Sequence, residues 1–362
     1  MGSAAAFHLA RRGNRVLGLD RYSPPHTLGS SHGKSRIIRE AYFENPLYVP
    51  LVQRAYECWS ELEALSGRRL FTRTGGMMIG PPAGAVVNGA RASAIAHGLP
   101  YDELSAEDLH RRVHAFHPDA DSVAIWEPRA GIIAPEAAVE THLSLARARG
   151  AELRFDEPMI GWSAVDGGIE VSTATGIIRA RRLVIAVGAW ASDVLRELVL
   201  PLTVERNAVF WFDQKRPTDA FAPDRFPIFI HEYAPGRMWY GFPDVGDGIK
   251  VALHHQGEAA HPDAPRRMVA DDEVSRIRSL VDRFIPAANG SLRETAVCLY
   301  TNTPDDHFII DRHPSQSDVI IASPCSGHGF KFSSAVGEVI ADLAMDRSSR
   351  FDLRPFAINR PA

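Results

Sequence analysis

The most constraining stretch of the chain is its first twenty residues. Residues 3–12 have the composition of a short helix, and Gly13 follows, a residue suited to the position just past a helix end. Arg15-Val-Leu-Gly-Leu-Asp20 then reads as a buried strand closing on an acid. Helix, tight glycine, apolar strand and terminal Asp make up the second half of a dinucleotide-binding βαβ unit, where the strand-end acid bonds a ribose. The first half would be an apolar strand feeding a G-x-G-x-x-G turn, and the sequence lacks it. Gly2 stands where the third glycine belongs, 18 residues before Asp20. Two explanations are open: a start upstream of Met1, which then lies inside the glycine loop, or a real truncation unable to hold the dinucleotide. We favour the first. An upstream extension of about ten to fifteen residues has room for one strand and its turn.

The rest of the composition bounds the function class. A chain of 362 residues predicts two or three structural units. With 45% apolar and 23% charged residues, it has globular rather than disordered composition. Its formal net charge is −4 and no block of like charge occurs, so neither nucleic acid nor an acidic membrane surface is an expected partner. No apolar run approaches the roughly 18 residues of a membrane span, and the N-terminus lacks the order of a signal peptide. Cys58, Cys298 and Cys325 form no CxxC pair, which suits a reducing cytoplasm. The histidines show no HExxH and no finger spacing, so no metal is expected.

Helical spacing covers residues 46–63, 135–149, 272–284 and about 331–345. Continuous apolar strands are read at 183–187 and 319–322, and a hairpin at 169–179. Short strand candidates at 204–212, 226–231, 238–241 and 249–254 read as one antiparallel sheet. The fold class expected is α/β: a Rossmann-like dinucleotide domain with an inserted mixed or antiparallel sheet, its first strand missing. The dinucleotide domain is assigned to 1–74, 131–200 and 296–362, and the inserted domain to 75–130 and 201–295.

Four features carry possible chemistry, each beside a plainer reading. Ser326-Gly-His-Gly329 follows a strand and precedes a helix, placing backbone N–H groups over whatever the strand points at; a tight turn with glycines for geometry alone is the other reading. His32-Gly-Lys-Ser35-Arg36-Ile-Ile-Arg39 ends in an Arg able to grip a carboxylate with two bonds; taken alone, a solvated charge cluster is the reading it favours. Lys250 and His254 share a strand face by the period of two, and a Lys among apolar neighbours is costly to bury without a role; it could instead lie on a wet face. Cys298 sits in an apolar strand, where a lone Cys is ordinarily a small hydrophobe. Without family knowledge, the chain reads as an oxidoreductase of unresolved substrate.

Taken together, these segments resemble the family of monomeric sarcosine oxidase and N-methyltryptophan oxidase. The resemblance rests on Pro24-Pro25-His26, Gly29-Ser-Ser-His32-Gly-Lys-Ser-Arg36-Ile-Ile-Arg39-Glu-Ala-Tyr42, Tyr48-Val-Pro-Leu51 and Gly188-Ala-Trp190. It continues through Tyr240-Gly-Phe-Pro243, Gly248-Ile-Lys250, Ala296-Val-Cys298-Leu-Tyr300-Thr301, His307-Phe-Ile-Ile-Asp311, Ser326-Gly-His-Gly-Phe-Lys331-Phe-Ser333 and Ile358-Asn-Arg-Pro-Ala362. Order and spacing hold from Gly2 to the end. The resemblance implies FAD, with Cys298 joined through sulfur to the 8α carbon of the flavin. It implies that Arg39 and Lys331 bind the substrate carboxylate, that Lys250 sits where oxygen is activated, and that Tyr240, His254 and Tyr300 line the amine pocket. Cofactor contacts fall to Gly2, Asp20, Arg21, His32, Ser35, Arg36, Gly188, Gly327, His328, Gly329 and Lys331. The implied reaction oxidises an N-methyl amino acid with O2, giving amino acid, formaldehyde and hydrogen peroxide, in a cytoplasmic monomer. A cyclic imino acid of the pipecolate type, a dehydrogenase using another acceptor, and an inactive truncated remnant are the alternatives. Ser323-Pro324-Cys325 departs from the family pattern and makes Cys325 a rival attachment site.

Overall fold

Two packing problems, one helical and one sheet-based, organise the molecule, and the site lies where their solutions meet. The computed structural model describes residues 1–360; Pro361 and Ala362, the end of the C-terminal match, lie outside the described residues.

The helical side is built by Gly2–Arg11, Val49–Ser66, Pro135–Arg147 and Ser333–Ala344. Val49–Ser66 buries Leu51, Val52, Ala55, Cys58, Trp59 and Leu62, one stripe at three- and four-residue spacing, and stops at Gly67 with φ 68°. Small residues let helices approach closely: a Cβ on Gly337 would sit 2.6 Å from that of Ala4. Against these helices lie two pieces of parallel sheet. Leu17–Leu19 pairs with Glu152–Arg154, and Leu183–Ile185 pairs with Gln316–Ser323. Each piece keeps an edge that no strand pairs among the described residues. Both edges line one cavity.

The second unit is a nine-stranded sheet. The four expected strands pair antiparallel with one another, and the whole sheet is mixed because Ile228–Ala234 runs parallel to Gly76–Gly80. The strands come from distant segments, because Gly76–Gly80, Asp102–Ser105 and Val123–Glu127 complete one side and Leu292–Asn302 the other. That last strand pairs with Thr203–Phe212 over its whole length, so it crosses the boundary placed at 296. One sheet face packs Phe210, Phe212, Trp239, Ile249 and Val251 against helix Asp271–Phe284, which contributes Ile277, Leu280, Val281 and Phe284. Burying each such side chain contributes about 1.5–3 kcal/mol. The opposite face carries the functional candidates. Among the described residues, no helix is long and apolar enough to cross a membrane.

Candidate active site

The period of two sets the floor of the site. Lys250 and His254 alternate with Val251 and Leu253, and Cys298 and Tyr300 with Leu299, so the polar members share the face opposite the Phe/Trp core. Tyr240 joins them, paired with Ala252. The loop carrying His32 to Arg39 lies over this face and makes the roof.

Cys298 is 4% exposed and ringed by cations. Arg36 Nη2 lies 3.3 Å from its Sγ and His32 Nε2 lies 3.8 Å away. Burial pushes this thiol up, but Arg36, His32 and Lys250 together outweigh it and hold it at about 6. Cys325 and Cys58 go the other way, both raised by burial. Lys250 donates to Gly33 O (2.7 Å), Ser35 O (2.8 Å) and Ser35 Oγ (3.2 Å). Burial, then Arg36, bring its pKa well below the usual value. Burial likewise depresses His254, whose Nδ1 is 3.4 Å from the Tyr300 hydroxyl. The hydroxyls of Tyr240 and Tyr300 stay protonated, both raised by burial.

A second cluster lies further along the same cavity. Arg39 is 1% exposed, and its Nη2 grips both oxygens of Glu44 at 2.7 and 2.5 Å. The guanidinium sits 4.4 Å from the ring centres of both Tyr42 and Phe43. Burial raises Glu44, but Arg39, His328 and Lys331 overcome it and hold the carboxyl at about 2. Lys331 Nζ donates to His328 O (2.8 Å) and the Tyr42 hydroxyl (3.3 Å), while Tyr42 also bonds His328 Nδ1. The Gly327 turn closes this end: its φ is 72°, and a Cβ there would meet the Tyr300 ring at 2.6 Å. Gly329 has no room either, since a Cβ would fall 1.6 Å from Pro324 O.

At the far end, Asp20 ends the Leu17–Leu19 strand as expected and accepts from Tyr22 N. Arg21 turns to Asp263 (2.7 Å), which also takes the indole N–H of Trp190. Gly2 faces Ala186, and Gly188 turns at φ 58°. One cavity of about 1310 Å³ joins all three groups, and every sequence-predicted site residue except His32 lines it. His32 lies behind Cys298. Sequence reasoning missed Glu44, although an acid five residues after Arg39 was the available signal, and it missed Glu136, whose link to the site is purely tertiary.

This constellation is one cavity lined by a strand-end acid, a buried Arg–Lys cluster and a cation-held thiol. The sequence profile of the DAO family, described as FAD dependent oxidoreductase, matches residues 1–343. The chain is an FAD-dependent oxidoreductase of the DAO family. Within it, the chain belongs with monomeric sarcosine oxidase and N-methyl-L-tryptophan oxidase. It is 45% identical over 349 residues to the monomeric sarcosine oxidase of Streptomyces avermitilis, covering 95% of this chain and 91% of that protein. Identity to the N-methyl-L-tryptophan oxidase of Yersinia pestis is 33% over 363 residues, covering 99% and 96%. The open form of the amino acid oxidase NikD superposes with a TM-score of 0.85 at 23% identity, covering 98% of this chain and 94% of that one, a likeness of fold.

The residues present fit FAD on three counts. The cavity is larger than the roughly 300–1,000 Å³ of a drug-sized pocket and is lined by both Asp20 and Cys298. Gly327 and Gly329 line the cavity with bare backbone, having no room for side chains beside Tyr300 and Pro324. The Cys298 thiol, held at about 6, is a nucleophile at neutral pH.

Proposed function

We propose that this enzyme oxidises the C–N bond of an N-methyl amino acid, with O2 as acceptor and FAD held covalently through Cys298. The observation carrying this reading is the pairing, in one cavity, of a buried carboxylate grip at Arg39 and Lys331 with a cation-ringed thiol at Cys298. The similarity to enzymes named for sarcosine and N-methyl-L-tryptophan supplies the substrate class. When bound, FAD takes a hydride equivalent from the carbon next to nitrogen, the imine hydrolyses to amino acid and formaldehyde, and O2 takes the two electrons as hydrogen peroxide.

The chain's own residues do the rest. Arg39 and Lys331 fix the substrate carboxylate, which aims the amine at the Tyr240–His254–Tyr300 wall. Glu44 takes Nη2 of Arg39 and Ala41 O takes Nη1, so an incoming carboxylate competes with Glu44 for the guanidinium. With their pKa values depressed, His254 and His328 stay neutral and leave the amine pocket without further positive charge. That favours entry of the substrate as a nitrogen-bearing acid. Lys250 bonds the Gly33 and Ser35 carbonyls beside Arg36, and burial lowers its pKa, which suits a group that gives up a proton as O2 is reduced to peroxide. Asp20 and Gly188 would take the adenosine end, and Gly327 to Lys331 the flavin. We read the enzyme as a monomer; its three cysteines without a disulfide suit the cytoplasm.

The test uses the flavin-loaded protein with sarcosine, N-methyl-L-tryptophan and pipecolate, following peroxide and formaldehyde. Peroxide with stoichiometric formaldehyde from an N-methyl substrate is expected. Peroxide from pipecolate alone would move the substrate class to cyclic imino acids, and flavin reduction without peroxide would make the enzyme a dehydrogenase. In parallel, acid-precipitated Cys298→Ser should be colourless and Cys325→Ser yellow; the reverse would move the attachment to Cys325.

A further inference from the structure

Lys250 and Arg36 at the Cys298 end both bond one short turn, Arg36 reaching Ser30 O as well, and two N–H groups of that turn bond one carboxylate. Glu136 stands in the first turn of helix Pro135–Arg147. Its Oε1 accepts from two successive backbone groups, Gly33 N at 2.7 Å and Lys34 N at 3.0 Å. Both residues have positive φ, 98° and 66°, so their N–H groups converge into an anion nest. A Cβ on Gly33 would approach Arg36 Nη1 at 3.2 Å and Lys250 Nζ at 3.6 Å, so both cations lie close over the bare backbone of the turn.

The other side of that turn does the holding. Gly33 O and Ser35 O receive Lys250 Nζ at 2.7 and 2.8 Å. Ser35 O also receives Arg36 Nη1 at 2.9 Å, and Arg36 Nη2 reaches Cys298 Sγ at 3.3 Å. A relay thus runs from Glu136 through two N–H groups and two carbonyls to the cations on the sulfur. The ionisable groups facing Cys298 are His32, Arg36, Lys250, Tyr240 and Tyr300. Lys34 points its amine away, to Asp247 and Glu294. An acid at a helix start is ordinary. One oxygen bonded to two N–H groups of a positive-φ turn from another domain segment is not explained by that preference.

We propose that Glu136 is a positioning residue: by clamping the Gly33–Lys34 turn it sets where Lys250 and Arg36 stand relative to the Cys298 sulfur. The geometric claim concerns this chain alone. Its consequence for oxygen reduction rests on the function proposed above.

Charge and position make opposite predictions for the thiol, and that separates them. In Glu136→Gln the amide oxygen still accepts both N–H bonds but the negative charge is gone. The cations are then less neutralised, and the thiolate is favoured. In Glu136→Ala the clamp is lost, the cations drift from the sulfur, and the thiol is favoured. The experiment measures iodoacetamide alkylation of Cys298 against pH in the flavin-free protein, located by peptide mass spectrometry. The midpoint is expected to stay or fall in Glu136→Gln and to rise by about one pH unit in Glu136→Ala, a roughly tenfold loss of thiolate at fixed pH. An unchanged midpoint in Glu136→Ala, or a fall in both variants, overturns the proposal. If Glu136→Ala does not fold, Glu136→Asp replaces it: the charge stays, the oxygen retreats by one methylene, and the midpoint should still rise; no rise overturns the proposal. In the flavin-loaded protein, stopped-flow should show reoxidation by O2 slowed more than anaerobic reduction in Glu136→Ala. A wild-type flavin that no N-methyl amino acid reduces would defeat the function proposed, while the thiol result would still decide the role of Glu136.

Discussion

At the scale of single residues, the carboxylate grip has a built-in pH limit. Burial, then the neighbouring Arg39, bring Lys331 down to about 7, with Glu44 pulling the other way. A substrate carboxylate is held by the protonated amine. KM for the amino acid is therefore expected to climb above about pH 7, approaching tenfold per unit, and Lys331→Met should raise KM throughout and flatten the profile. A wild-type KM that stays level across that range would remove Lys331 from the grip. Stability follows the same proton with its own sign. The unfolded chain keeps it to about 10.5 and the folded chain loses it near about 7, so the unfolded state binds more protons between them. The contribution of Lys331 to stability therefore rises with pH through that window. Lys250, also depressed by burial, acts in the same direction.

At the scale of elements, glycines decide how near a helix can come to the grip. Helix Ala85–His97 packs on the loop holding Phe43 through Gly89, where a Cβ would lie 2.1 Å from Phe43 O. Gly89→Ala must push that loop outward, and Phe43 moves with it from its 4.4 Å contact with Arg39. A loss of about 1–3 kcal/mol is expected on denaturation, with KM for the carboxylate substrate raised more than kcat is lowered. Gly337→Ala is the control, because its clash is with Ala4 in the helical core. It should cost similar stability and leave KM alone. Equal KM shifts in both would mean that global loosening, not the loop, sets the affinity. The strand elements were largely legible: Ile249–His254 falls where alternation puts it, and Lys250 and His254 do share a face. The parallel pair that makes the sheet mixed was not placed, because Gly76–Gly80 joins it from a segment without a clear strand pattern.

At the scale of the whole molecule, the two pieces of parallel sheet matter most. Leu17–Leu19 and Leu183–Ile185 each present to the same cavity an edge that no strand pairs among the described residues, and they are mostly half-buried. Interior parallel strands are ordinarily covered on both faces and paired on both edges. A chain extended upstream by one apolar strand and a glycine turn is therefore expected to melt higher and to keep more acid-stable flavin than this one. Equal melting temperatures and equal pellet colour would show that the divided sheet is self-sufficient and that our reading of the first twenty residues is wrong.

The sequence by itself determined the local terms: a helix and strand ending on Asp20, glycines at Gly327 and Gly329, alternation that puts Lys250 with His254 and Cys298 with Tyr300, and motifs specific enough to name a family. Each is written within a few neighbouring residues, where backbone period and steric demand act directly. The tertiary structure decided the partners. Glu136 under a turn 103 residues away is set by how distant segments pack, whereas Glu44, five residues past Arg39, is a local partner. Charges find each other through space, and at these distances the chain between them carries no record of the meeting.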